Sequence, residues 1–326
     1  MKVAILGVGA WGTALALVLH RGGRAVTLWG HDSGHLDEMR RAARNERYLP
    51  GIELPREWTY EPDLARAAAG SDLAVMAVPS KALRDVAAGL ADHTGILVSV
   101  TKGIEHGSGL TMCGVLHDCA PRAKLAALSG PSLALEVAKK IPTAIVAASE
   151  DAGVAQTVQK FFHSPAFRVY TSGDMAGVEM GGALKNVGAI AAGIGDGLGF
   201  GDNSKAALIT RAIVEIRRLG VKCGAHPDTF AGLSGLGDLT VTCFSKLSRN
   251  RALGERLGRG EKLADILASS VTVAEGYPTA RSAWQLARKH DVSTPILDEV
   301  YRLLYEGKNV AQALMDLTGR ESKAED

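Results

Sequence analysis

The chain has 326 residues, 46% of them hydrophobic, which is ample for a sizeable core and points to about two domains of ~150 residues. Lys and Arg number 37 against 35 Asp and Glu, a formal charge of +2, so nothing in the balance asks for nucleic acid or an acidic membrane as partner, and any positive patch must be local. Cys113, Cys119, Cys223 and Cys243 form no Cys-x-x-Cys pair and have no His at zinc-ligand spacing, so reduced structural thiols in a cytoplasmic protein without a metal site are expected.

The N-terminus, MKVAILGVGAWGTALALVLHRGG, has the outline of a signal peptide, but its apolar part is broken by five glycines before position 24. No run of ~18 uncharged apolar residues reads as a membrane span. Short apolar runs follow instead: VAIL (3–6), AVTLW (25–29), LAVMAV (73–78), ILVSV (96–100), KLAAL (124–128), TAIVAA (143–148) and FRVY (167–170). Several are apolar throughout, as expected of strands buried on both faces of a parallel sheet. A helical stretch, Trp11 to His20, joins the first two, and the alternation of strand and helix signals predicts a doubly wound α/β domain.

After Tyr170 no strand-like run recurs. Helical stretches are predicted at 175–194, 204–219, 249–258, 261–269, 276–290, 294–306 and 309–316, with Pro295 in a first turn. The expected organisation is a sheet domain over residues 1–175 and an all-helical domain over 176–326, with the boundary near 171–178 and a frayed charged end, GRESKAED.

Gly7-x-Gly9-x-x-Gly12 directly follows the first predicted strand and opens the first helix. Gly7 permits the tight turn, Gly9 lets a pyrophosphate approach the backbone, and Gly12 lets helix and strand pack closely. The helix then offers free N–H groups and its positive dipole end to the anion. A dinucleotide is therefore the expected cofactor. Asp32 lies at the spacing of a ribose ligand for NAD, yet His31, Arg40, Arg41 and Arg44 could meet the 2′-phosphate of NADP, or stand as ordinary surface charges. NAD against NADP stays open, with a lean to NADP or dual use.

Further polar islands stand at element ends. SVTKG places Lys102 at the end of the fourth strand, where open α/β sheets bind ligands. LSGPS ends the fifth; Gly130 and Pro131 bend the chain and Ser132 could cap a following helix. In the helical half, GGALKNV sets Lys185 among small apolar residues, a costly place for an ammonium unless it is paired. AGLSGLGDLTVTC carries Asp238 in a glycine-rich, otherwise apolar stretch. In SRNR, Ser248 reads as an N-cap, and Arg249, Asn250 and Arg251 occupy a first turn. Basic residues there oppose the helix dipole unless an anion docks. TVAEGYPT places Glu275 near another helix start.

GVGAWGTALA, LWGHD, VPS, TKG, LSGPS, GGALKNVGAIAAGIGDGLGFGDNSKAALITR, GLSGLGDLTVTC, SRNR, VAEGY and LYEGKN, running from residue 7 to about 309, together resemble the bacterial-type NAD(P)-dependent glycerol-3-phosphate dehydrogenases. The resemblance implies a Rossmann-type domain followed by a helical domain, with the site in the cleft between them. It implies reversible reduction of dihydroxyacetone phosphate by NAD(P)H to sn-glycerol 3-phosphate, the glycerophospholipid precursor, with no nucleic-acid partner and a homodimer as the assembly to consider. Carried over motif by motif, Lys185 matches the catalytic lysine. Lys102, Gly130, Ser132, Asp238, Ser248, Arg249 and Asn250 match positions that line the substrate. Gly7, Gly9, Ala10, Trp11, Gly12, His31, Lys102, Ala134, Arg249, Val273 and Glu275 match cofactor contacts. Ala10 stands where many relatives have Ser, so a hydroxyl contact to phosphate is missing; Ala274 is a milder departure.

On this reading Lys185 stabilises and protonates the forming alkoxide, its pKa lowered by desolvation and raised by Asp238. Arg249 and Asn250 grip the substrate phosphate. The rivals are a related dehydrogenase of a hydroxy acid or a ketopantoate-like acid, and a nucleotide sensor that binds NAD(P)H without turnover.

Overall fold

The computed structural model describes residues 1–269, 274–321 and 324. All seven apolar runs become strands of one sheet, joined by an eighth. They are β1 (Lys2–Leu6), β2 (Ala25–Trp29), β3 (Thr59–Tyr60), β4 (Leu73–Met76), β5 (Ile96–Ser99), β6 (Lys124–Ser129), β7 (Thr143–Ala148) and β8 (Phe167–Ser172). Their order is β8-β7-β6-β5-β4-β1-β2-β3. The runs are apolar throughout because both faces are covered. Val3 and Ile5 of β1 join one core cluster, and Ala4 and Leu6 join another on the opposite face.

Every neighbouring pair is parallel except β6 with β7, which is antiparallel. The expectation of a parallel sheet is corrected there; a strand covered on both faces reads alike in either direction. β3 is two residues long, and a small antiparallel pair, Arg44–Asn45 with Leu49–Glu53, stands beside the sheet. Thr59–Tyr60 and Arg44–Asn45 are too short to show periodicity, and Pro50 and Gly51 interrupt that of Leu49–Glu53. The strand order reverses between β1 and β4, so the carboxyl ends of these two strands form the crevice where such sheets take ligands. The glycine loop sits there and leads into the helix Ala10–Arg21.

Among the described residues no strand follows Ser172. The central helix Met175–Gly197 is buried along most of its length. Its small residues have a packing reason. A Cβ on Gly193 would lie 2.0 Å from the Arg251 carbonyl oxygen, and one on Gly197 would lie 2.3 Å from that of Glu255. From the other side, Gly254 and Gly258 meet the carbonyls of Ile190 and Ile194 at 2.0 and 2.4 Å. Two glycine pairs, each four residues apart, thus let the central helix and the helix Arg249–Gly258 touch backbone to backbone. Around this pair lie helices Asp202–Lys222, Gly276–Lys289, Pro295–Tyr305 and Val310–Thr318. The stretch around Asp238, read from sequence only as glycine-rich and apolar, is a wide turn, Leu233–Gly237, running into the helix Asp238–Phe244.

Candidate active site

Gly7 has φ +122°, and a Cβ on it would fall 2.5 Å from the Ala77 carbonyl oxygen just beyond β4. A Cβ on Gly12 would fall 2.0 Å from the Gly7 carbonyl. Both positions exclude a side chain for reasons internal to the protein. Gly9 is different: a Cβ there meets nothing within 4 Å. No side chain caps the helix that starts at Ala10, and no acidic residue occupies its first turn. The loop therefore presents free amides beside an open face, which fits the pyrophosphate of a dinucleotide. Ala10 and Trp11 open the helix, half-buried, with Trp11 against the sheet core.

Beyond β2, His31 is exposed. Asp32 caps the next helix by accepting the His35 N–H at 3.0 Å and pairs with Arg47 at 3.3 Å. That backbone bond, with Arg47 beside it, holds the Asp32 carboxyl below its usual range. Arg40 donates to the Tyr60 carbonyl, Arg41 to that of Asp37, and Arg44 pairs with Glu53.

Lys185 is 6% exposed on the central helix. Its Nζ donates to Asp238 Oδ1 at 2.8 Å and to Thr242 Oγ1 at 2.7 Å. Thr242, one turn after Asp238, donates in turn to the Asp238 carbonyl at 2.6 Å. From the sheet side, Lys102 donates to Asp238 Oδ2 at 2.5 Å and to the Gly130 carbonyl at 3.2 Å. One buried carboxylate thus bridges an ammonium from each half of the chain. Each lysine keeps one N–H beyond these bonds. Burial brings Lys185 down to about 8, against the upward pull of Asp238. Burial pushes Asp238 up, but Lys102 and Lys185 outweigh it and hold the carboxyl below its usual range. The close approach of sheet and helix depends on Gly182, where a Cβ would lie 2.6 Å from Ser129 Oγ and 3.7 Å from Lys102 Cγ.

Gly130 has φ +143°, with Ile145 Cα 2.9 Å from where its Cβ would be. Its carbonyl accepts from Ser132 Oγ at 2.9 Å as well as from Lys102. Ser132 therefore does not cap the following helix, Ala134–Ala138, whose cap position is Leu133 with no side-chain bond. Ala134 opens that helix, half-buried against the sheet core.

Ser248 caps the helix Arg249–Gly258 by accepting the Arg251 N–H at 3.2 Å, as expected. The other side chains of SRNR divide. Arg251 turns inward to Asp196 at 2.6 Å and Glu255 at 3.2 Å. The conflict of this arginine with the helix dipole is thus resolved inside the protein rather than by a docked anion. Asn250 donates to Asn186 Oδ1 and accepts the Gly276 N–H, both at 2.8 Å; it ties three helices, with one amide hydrogen left over. Arg249 has no hydrogen bond or ion pair among the described residues. Its side chain reaches solvent, and partial desolvation pulls its guanidinium below the usual value, opposed by the charge of Glu275. Glu275 precedes the helix Gly276–Lys289 and accepts from the Ser80 N–H at 3.2 Å and Ser80 Oγ at 2.5 Å. Burial raises its pKa, with the Ser80 bonds opposing. Val273 lies outside the described residues.

Models for the N-terminus and C-terminus of the NAD-dependent glycerol-3-phosphate dehydrogenases match residues 2–155 and 174–315. The glycerol-3-phosphate dehydrogenase (NAD(P)+) of Syntrophotalea carbinolica is 49% identical, over 100% of this chain and 99% of its own. The chain belongs to the NAD-dependent glycerol-3-phosphate dehydrogenase family.

That of Geobacter sulfurreducens is also 49% identical, over 99% of this chain and 98% of its own. The solved glycerol-3-phosphate dehydrogenase of Coxiella burnetii superposes with a TM-score of 0.94 at 39% identity, covering 98% of this chain and 99% of its own. A ketopantoate reductase from Ralstonia eutropha, at 16% identity and a TM-score of 0.61, covering 98% of this chain and 100% of its own, shares the fold alone. Around the site of this glycerol-3-phosphate dehydrogenase, sequence reasoning missed Thr242, Asn186, Ser80 and Arg47. The Asp238–Thr242 spacing of four was a usable signal, once a helix is recognised there.

Proposed function

We propose that Lys185 is the proton donor of this dehydrogenase, which reversibly reduces dihydroxyacetone phosphate to sn-glycerol 3-phosphate with NAD(P)H and so supplies the glycerophospholipid precursor. The observation that carries the assignment is the buried Lys102–Asp238–Lys185 bridge between sheet and helices. When bound, the reduced nicotinamide supplies the hydride. Lys185 holds a proton on an ammonium whose pKa is brought down to about 8, and delivers it to the carbonyl oxygen as negative charge develops there. Asp238 and Thr242 fix the direction of its Nζ, and Lys102 adds positive potential over the same oxygen. Arg249, the cation of SRNR without an ion pair among the described residues, takes the substrate phosphate by a forked contact, while Asn250 orients the helix that carries it. Gly130, Ser132 and Ser248 shape the backbone that faces the substrate. The glycine loop (Gly7 to Gly12), His31, Ala134, Val273 and Glu275 belong to the dinucleotide site.

The lean to NADP or dual use belongs to the same reading, supported by the commitment of Asp32 to His35 and Arg47. So do the division into residues 1–175 and 176–326, a homodimer and a cytoplasmic location; among the described residues no helix is long and apolar enough to cross a membrane. The test is absorbance at the reduced-nicotinamide band with dihydroxyacetone phosphate, run with NADH and NADPH in parallel. Oxidation that depends on the phosphorylated ketone is expected with both, faster with NADPH. No oxidation with either cofactor would leave a nucleotide sensor as the better account.

A further inference from the structure

Near its end the central helix carries a largely covered carboxylate, Asp196, that the chemistry does not use. Asp196 lies eleven residues beyond Lys185, about three turns and ~16 Å along the same face of the helix. It pairs with Lys205 and with Arg251, both at 2.6 Å, and all three side chains are 10–12% exposed. Each partner touches or belongs to a different helix that carries a site residue. Lys205 stands over the ring of Phe244 at 5.1 Å, and Phe244 ends the helix that begins with Asp238. Arg251 stands in the first turn of the helix that begins with Arg249. Residues two apart on a helix point about 200° from each other, so Arg251 anchors the inner side of that turn while Arg249 faces the cleft.

We propose that Asp196 is a positioning residue that sets the distance between the proton donor and the phosphate grip. Lys185 holds the start of the Asp238–Phe244 helix, and Asp196 holds its end through Lys205. Through Arg251 the same carboxylate holds the register of the helix that presents Arg249. The glycine contacts of Gly193 and Gly254 fix how close the two helices lie; the Asp196–Arg251 pair fixes how far one is turned and slid against the other.

The inference rests on the reading of Arg249 as the phosphate contact, and a double-mutant cycle separates the two. Asp196→Asn should raise the KM for dihydroxyacetone phosphate about tenfold, leave kcat within about threefold and leave the KM for NADPH unchanged. In an Arg249→Ala background, where the grip is already gone, the same substitution should add less than about twofold. Arg251→Gln removes the contact from the other side and carries the same expectations, so it decides the matter if the Asp196 variant does not fold. Equal effects of Asp196→Asn in both backgrounds, or a loss confined to kcat, would overturn the positioning role. Arg249→Ala with an unchanged KM would instead overturn the reading beneath it.

Discussion

Lys185 carries the account at the scale of a residue. An ammonium with a pKa of about 8 is protonated at neutral pH yet can release its proton readily. Reduction needs the protonated form, so kcat/KM for reduction should be steady below about pH 8 and fall as the pH rises through it; kcat/KM for oxidation of glycerol 3-phosphate needs the neutral form and should rise over the same interval. Lys102 is one of the charges that lower this pKa. Lys102→Met removes a like charge from beside Lys185, which favours its protonated form, so the alkaline limb for reduction should move to higher pH. Profiles of kcat/KM for both proteins check this; a limb that stays in place would show that Lys185 is not the group titrating. Lys185 and Asp238 were legible in the sequence because a lone charge among small apolar residues asks for a partner. That Asn250 is committed to Asn186 and Gly276 was not, since nothing local marks a side chain that bonds across three helices.

At the scale of elements, the glycines fall into two kinds. Gly193 belongs to the first, where backbone is already in contact. Gly193→Ala must push apart the helices that hold Lys185 and Arg249, and should cost about 1–3 kcal/mol of stability, read as a lower denaturation midpoint, together with a higher KM for dihydroxyacetone phosphate. Gly9 belongs to the second kind. Its φ of −67° suits any residue and the space around it is open, so Gly9→Ala should fold with stability changed by no more than about 0.5 kcal/mol. The added methyl would still occupy the face where a pyrophosphate approaches, so NADPH affinity should fall; unchanged affinity, by fluorescence titration, would move the cofactor elsewhere. The long elements were legible from apolar runs and helical spacing. The helix Asp238–Phe244 was hidden by the glycines that precede it, and the direction of β7 by its burial on both faces.

For the whole molecule, the proposed active site lies where the sheet and the helices meet. Lys102 comes from the sheet and Lys185 and Asp238 from helices; Ser80 and Glu275 make a second join between the halves. The sequence shows the halves and their order because each has its own periodicity. It shows the individual polar islands because they interrupt that periodicity. The meeting of residues 102, 185 and 238 on one carboxylate is a tertiary event with no local trace, and family resemblance alone connected them beforehand.

The central claim is that Lys185 supplies the proton, and it is tested most directly by comparing the wild-type chain with Lys185→Ala. NADPH consumption with saturating dihydroxyacetone phosphate gives turnover, and nucleotide fluorescence on the same samples gives cofactor affinity. The account expects a loss of about a hundredfold or more in kcat, with NADPH affinity within about twofold of the wild type. Near-normal turnover at that affinity would contradict it.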